Sequence, residues 1–147
     1  FRLLTVIDLY TRECLGICVG QNLRSSEVAE MLDTIALRRP LPQLLKTDNG
    51  SEFAGKMLDK WVYERDIRID FSRPGTPTDN ATVESFNGRL RQECLNENWF
   101  MSKEDARCKI EVWRIHYNQS RLHSALGWMT PCEFAEKSAG CQNKQPT

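Results

Sequence analysis

The chain has 147 residues, enough for one domain that buries roughly 68–70% of its unfolded surface without disulfides or a structural metal. Hydrophobic residues make up 40% and charged residues 27%, ordinary for a soluble globular domain, and no run approaches the ~20 apolar residues of a membrane span. The 20 basic and 20 acidic residues cancel, so a nucleic-acid partner has to be met by a local patch and not by total charge. The six cysteines (14, 18, 94, 108, 132 and 141) form no Cys-x-x-Cys pair and have only His116 and His123 to join them, which excludes zinc-finger spacing. They read as free buried thiols of a reducing cytosol.

Leu3-Leu4-Thr5-Val6-Ile7 and Cys14-Leu15-Gly16-Ile17-Cys18-Val19 predict two strands joined as a hairpin by the polar Thr11-Arg12-Glu13. Ser25 or Ser26 can cap a helix with Val28, Leu32 and Ile35 on its apolar face, and Pro40 and Pro42 end it. Leu44–Thr47 predicts a short strand closing on Asp48-Asn49-Gly50, and Phe53, Met57, Leu58, Trp61 and Val62 recur at helical spacing. Ile67, Ile69 and Phe71 alternate as a strand does, and Ser72–Thr78 reads as a Pro/Gly/Thr loop. A helix is expected over about Asn80–Asn96, with Val83, Phe86, Leu90 and Cys94 on one face. Ser102-x-x-Asp105 opens a long last helix that buries Ala106, Ile110, Trp113 and Tyr117, and Thr130-Pro131 can start a short one. Strands alternating with helices predict an α/β domain over residues 1–137, with a flexible polar tail over 138–147.

Two carboxylates stand out. Asp48 follows a short apolar strand, where open α/β sheets bind ligands, although Asp-Asn-Gly is also an ordinary tight turn. Glu84 lies at the edge of a helical apolar face, with Asn87 and Arg91 along the same stripe, although a solvated helix face reads the same way. Thirty-five residues separate the two acids, and the helix, strand, loop and helix between them can return Glu84 to the end of the Asp48 strand. Two hard oxygen ligands meeting there suit Mg²⁺.

Three runs resemble the integrase core of bacterial insertion-sequence transposases: Asp48-Asn49-Gly50-Ser51-Glu52-Phe53, Pro74-Gly75-Thr76-Pro77-Thr78-Asp79-Asn80-Ala81, and Glu84-Ser85-Phe86-Asn87-Gly88-Arg89-Leu90. The stretch from Tyr117 to Gly127, with Thr130-Pro131-Cys132-Glu133-Phe134, resembles the same family's C-terminal signature. The resemblance runs from about Leu3 to Glu136 and implies an RNase H-like mixed sheet flanked by helices, similar to retroviral integrases. It makes Asp48 the second and Glu84 the third acid of an Asp-Asp-Glu triad holding two ions, Mg²⁺ or Mn²⁺, for DNA cleavage and strand transfer. It further implies DNA contact by Arg91, and more weakly by Asn87, Arg121 and His123. The partners it implies are double-stranded element ends and target DNA and other copies of the chain, in the bacterial cytoplasm at the nucleoid.

The first acid of the triad is the point of departure. The family places it on a strand that this reading puts upstream of Phe1, so the chain is expected to be truncated there, to lack the first strand and to have little activity alone. Asp8 is the alternative candidate, but it is expected to brace the hairpin end. Leu122 stands where the family usually has proline, which bears on the local loop and not on the chemistry. Two rivals stand beside this reading. One is an inactive remnant that binds DNA or an intact transposase, which shares every motif except the first acid. The other is a ribonuclease H-like nuclease acting on RNA–DNA hybrids, which shares the fold but is disfavoured by the Pro74–Ala81 loop and the C-terminal signature.

Overall fold

Residues 2–20, 25–42, 44–47, 56–71 and 77–143 are described by the computed structural model. Strands β1 (Arg2–Ile7) and β2 (Cys14–Gly20) form a two-stranded sheet where the apolar and β-branched runs predict it. Asp8 N donates to Glu13 O at 2.9 Å and Arg12 N to Asp8 O at 2.8 Å, closing the hairpin. The Asp8 carboxylate is spent on this turn, its Oδ1 accepting from Tyr10 N at 2.9 Å and Thr11 N at 3.1 Å. Asp8 thus braces the hairpin end, as its short acceptor side chain favours.

The chain divides into two units, one of residues 1–4 and 18–80, the other of residues 5–17 and 81–147. In the first, β3 (Leu44–Thr47) pairs in parallel with β4 (Arg68–Phe71), Leu44 opposite Arg68 and Thr47 opposite Phe71. Parallel strands need a long crossover, and α2 (Lys56–Glu64) lies within it. Helix α1 (Ser25–Ala36) packs on α2, and Val28, Ala29, Leu32, Trp61, Val62 and Ile67 are buried in this unit. Its polar edge is closed by Asp33, whose Oδ1 accepts from Trp61 Nε1 at 2.5 Å and from Arg65 at 2.9 Å. Helix α2 ends with Asp66 in the left-handed region (φ 55°), Ile67 N donating to Val62 O and Asp66 N to Tyr63 O. That paired pattern satisfies carbonyls the last turn would otherwise orphan.

The second unit takes up α3 (Pro77–Leu90) from Ala81 on; the helix runs into a π-helical turn (Arg91–Leu95), followed by α4 (Lys103–Ser120), a 3-10 turn (Ser124–Leu126) and α5 (Pro131–Asn143). Phe86, Leu90 and Cys94 are buried, as are Ala106, Ile110 and Tyr117 of α4. Phe86 sets its ring edge to face against Tyr117 (centroids 4.9 Å apart) and against Trp113 (5.4 Å). Ser102 caps α4, its Oγ accepting from Asp105 N at 3.0 Å as the sequence predicts.

Three expectations change in detail. Helix α3 starts at Pro77 and not near Asn80, because the first helical turn has no use for the N–H that proline lacks. Its regular part stops at Leu90, and Asn96 N then donates to Arg91 O at 2.8 Å, the i→i+5 bond of a π turn. Not every thiol is interior: Cys14 and Cys94 are buried and Cys18 and Cys132 half-buried, but Cys108 is exposed. Burial pushes the Cys14 thiol up to about 12, so it stays protonated and packs as a small apolar group.

Candidate active site

Strand β3 is described through Thr47, and Asp48 is the next residue in the sequence. Asp48 itself lies outside the described residues, together with residues 49–55 and with Pro74, Gly75 and Thr76 of the second motif. Glu84 is the eighth residue of α3 and its side chain is exposed. The side of α3 away from it is buried through Phe86 and Leu90, which leaves the carboxylate free of the core.

Asn87, one turn beyond, is half-buried, and its Oδ1 accepts from Thr5 Oγ1 of β1 at 3.1 Å. Two residues before Glu84, Thr82 Oγ1 accepts from the Arg12 guanidinium at 2.6 Å. Arg91 opens the π turn and is exposed.

Arg121 and His123 come together at the end of α4. Arg121 is the C-cap, stacks over the Tyr117 ring (5.4 Å to its centroid) and is ion-paired with Glu93 of the π turn. The same Glu93 carboxylate reaches Arg89 at 3.9 Å and accepts from Trp113 Nε1 at 3.4 Å. His123 sets its ring edge against Tyr117, centroids 5.5 Å apart, and its Nε2 is buried with no hydrogen-bond partner among the described residues. Burial, then the charges of Arg121, Arg12 and Arg89, hold the His123 pKa below its usual value.

The C-terminal signature is in large part a packing device. Tyr117 fills the core, and Asn118 clamps the start of β2, its Oδ1 accepting from Cys14 N at 2.8 Å and its Nδ2 donating to Cys14 O at 2.9 Å. Arg114 donates to the same Cys14 O at 2.8 Å. Thr130 Oγ1 accepts from Glu133 N at 3.1 Å and donates to Glu133 Oε1 at 3.0 Å, so Thr-Pro-x-Glu works as the cap of α5.

Sequence reasoning missed Glu93 as the hub of the Arg89, Trp113 and Arg121 contacts, and missed Arg12 and Thr5 as partners of α3. These partners lie up to 82 residues away along the chain, and no local pattern marks them. The left-handed backbone at Arg12 (φ 66°) leaves no trace in the sequence either. Among the described residues no three His, Cys, Asp or Glu side chains gather as a metal site.

The model of the integrase core domain matches residues 1–77, and a second integrase core domain model matches residues 65–131. The chain belongs to the integrase core domain family. Insertion-element proteins are its relatives in sequence: one of IS407 from Burkholderia multivorans is 44% identical over 91% of this chain, and one of IS476 from Xanthomonas euvesicatoria is 45% identical over 90%. The transposase InsF of IS3A from Escherichia coli is 29% identical over 92% of the chain. The integrase core spans 48%, 38% and 48% of the lengths of these three relatives, so about half or less of each. Among solved structures, the catalytic core domain of BIV integrase matches with a TM-score of 0.77 at 15% identity, over 97% of this chain and 90% of that one. A chain of the simian T-cell lymphotropic virus intasome matches with a TM-score of 0.72 at 20% identity, over 90% of this chain and 47% of that one. The fold is therefore the RNase H-like α/β fold of the retroviral integrase cores. None of the described helices is long and apolar enough to cross a membrane.

Proposed function

We propose that this integrase core carries out metal-dependent phosphodiester cleavage and strand transfer on double-stranded DNA during transposition, with Asp48 and Glu84 as two of its metal-binding carboxylates. The observation that carries this reading is the Glu84 carboxylate, exposed on a helix that is buried on its other side, in a chain of integrase-core family. An exposed carboxylate offers the hard oxygen donor that Mg²⁺ and Mn²⁺ take. Bound divalent ions would supply a nucleophile at neutral pH and offset charge on the leaving oxygen.

The chain's own residues do the holding and orienting. Arg91, exposed just beyond Glu84, is the first candidate for element-end phosphate, and its planar fork suits that group. Asn87, Arg121 and His123 are further candidates on the DNA side, but each is already engaged within the protein. A DNA role for Arg121 would require Glu93 to release it. Assembly of several copies, with element ends and target DNA as partners, belongs to the same proposal, and kinship with insertion-element proteins supports it.

The test is cleavage of labelled element-end DNA with Mg²⁺ or Mn²⁺ by the protein, beside Asp48→Asn and Glu84→Gln. Each substitution is expected to reduce cleavage by on the order of 100-fold or more, as loss of a metal ligand should. If the wild type cuts and both variants cut equally well, the assignment is wrong.

A further inference from the structure

Among the described side chains of α3, Phe86 and Leu90 are buried and Val83 is half-buried, and together they form one apolar face of the helix. Two hydrogen bonds from the β1–β2 hairpin stand on either side of that face. Arg12 Nη1 donates to Thr82 Oγ1 at 2.6 Å, two residues before Glu84. Thr5 Oγ1 donates to Asn87 Oδ1 at 3.1 Å, three residues after it. At about 100° per residue the two anchors are roughly 140° apart around the helix axis, with Val83, Phe86 and Leu90 between them.

We propose that Arg12 and Thr5 are positioning residues that lock the roll of α3 and so hold the Glu84 carboxylate in one direction. This rests on the reading of Glu84 as a metal ligand. The hairpin turn fixes the backbone from which the Arg12 guanidinium reaches α3. Arg12 sits in the left-handed region (φ 66°), its N–H tied back to Asp8 O, a conformation that a long side chain rarely adopts and that is held here against its cost. The guanidinium carried on that backbone ends on the helix that bears the carboxylate. The lever is steep: a roll of about 10° moves a group at the ~6 Å radius of a helix surface by about 1 Å. Misplacement on that scale can cost on the order of 100-fold in rate.

The test keeps the fold and removes the lock. Arg12→Gly takes the left-handed backbone without strain while losing the guanidinium; Thr82→Val keeps shape and loses the acceptor; Thr82→Ser restores it. Two readouts are followed on the full chain, amide hydrogen exchange over residues 82–90 and Mn²⁺ affinity. Arg12→Gly and Thr82→Val are expected to speed exchange over 82–90 and to weaken Mn²⁺ binding by about 10-fold each, with α4 exchange unchanged. The double variant is expected to be no worse than either single one, and Thr82→Ser to behave as the wild type. Unchanged exchange and Mn²⁺ affinity in Arg12→Gly, beside a Glu84→Gln variant that has lost Mn²⁺, overturn the lock and leave the carboxylate assignment standing. Unchanged Mn²⁺ affinity in Glu84→Gln overturns the carboxylate assignment and, with it, the purpose given to the lock.

Discussion

Asn118 and Cys14 are 104 residues apart, yet the Asn118 amide makes both hydrogen bonds that a neighbouring strand would make at the start of β2. Truncation strands a main-chain N–H, because Cys14 O keeps its bond from Arg114 and Cys14 N keeps none from Asn118. Asn118→Ala should therefore cost about 1–3 kcal/mol, the desolvation penalty of a buried unpaired group. Asn118→Asp keeps the acceptor and should cost less; equal urea midpoints for Ala and wild type would rule the clamp out. His123 gives a second residue-scale prediction. Its folded pKa lies below 6.5, through burial first and then Arg121, Arg12 and Arg89, so the folded state takes up this proton later than the unfolded chain does. Stability is then full above the unfolded value and falls as pH drops through about 6.5 toward the folded one. Urea melts at a series of pH values should show this acid-side loss, and His123→Gln should flatten it.

At the scale of elements, the caps show which parts of the fold the sequence announces. Thr130 and Pro131 read as a helix start from the sequence alone, and the structure adds the reciprocal Thr130–Glu133 bonds. Thr130→Ala should cost about 1 kcal/mol by thermal melt. If its Tm equals that of the wild type, the box contributes nothing. The hairpin, β3, β4 and the start of α4 were legible for the same reason: each is written in local periodicity and end signals. The π turn at Arg91–Leu95 was not, because one extra residue in a turn leaves the apolar positions Phe86, Leu90 and Cys94 at helical spacing. The candidate site was legible only in part. Asp48 and Glu84 come from their motifs, whereas the anchors Thr5 and Arg12 depend on tertiary contact and on a backbone angle that local patterns do not encode.

At the scale of the whole molecule, a formal charge of zero bears on how the proposed DNA partner would be held. With no net charge to draw DNA in, the proposed binding would come from a few placed cations, and several of the described arginines are paired inside the protein. Arg65 is held by Asp33, Arg114 by Glu111 and Arg121 by Glu93, each through an ion pair. Arg91 is exposed beside the proposed site and is the cation whose removal should be felt most directly. For duplex DNA, log K falls with log salt by about 0.9 for each phosphate neutralised. Arg91→Ala should reduce that slope by about 0.9 and weaken binding to all sequences alike, as loss of a phosphate contact does. Arg65→Ala, on the first unit and already paired, should leave the slope unchanged. Fluorescence anisotropy over a salt series decides between them, and an Arg91→Ala slope equal to the wild type would move the DNA path away from the end of α3.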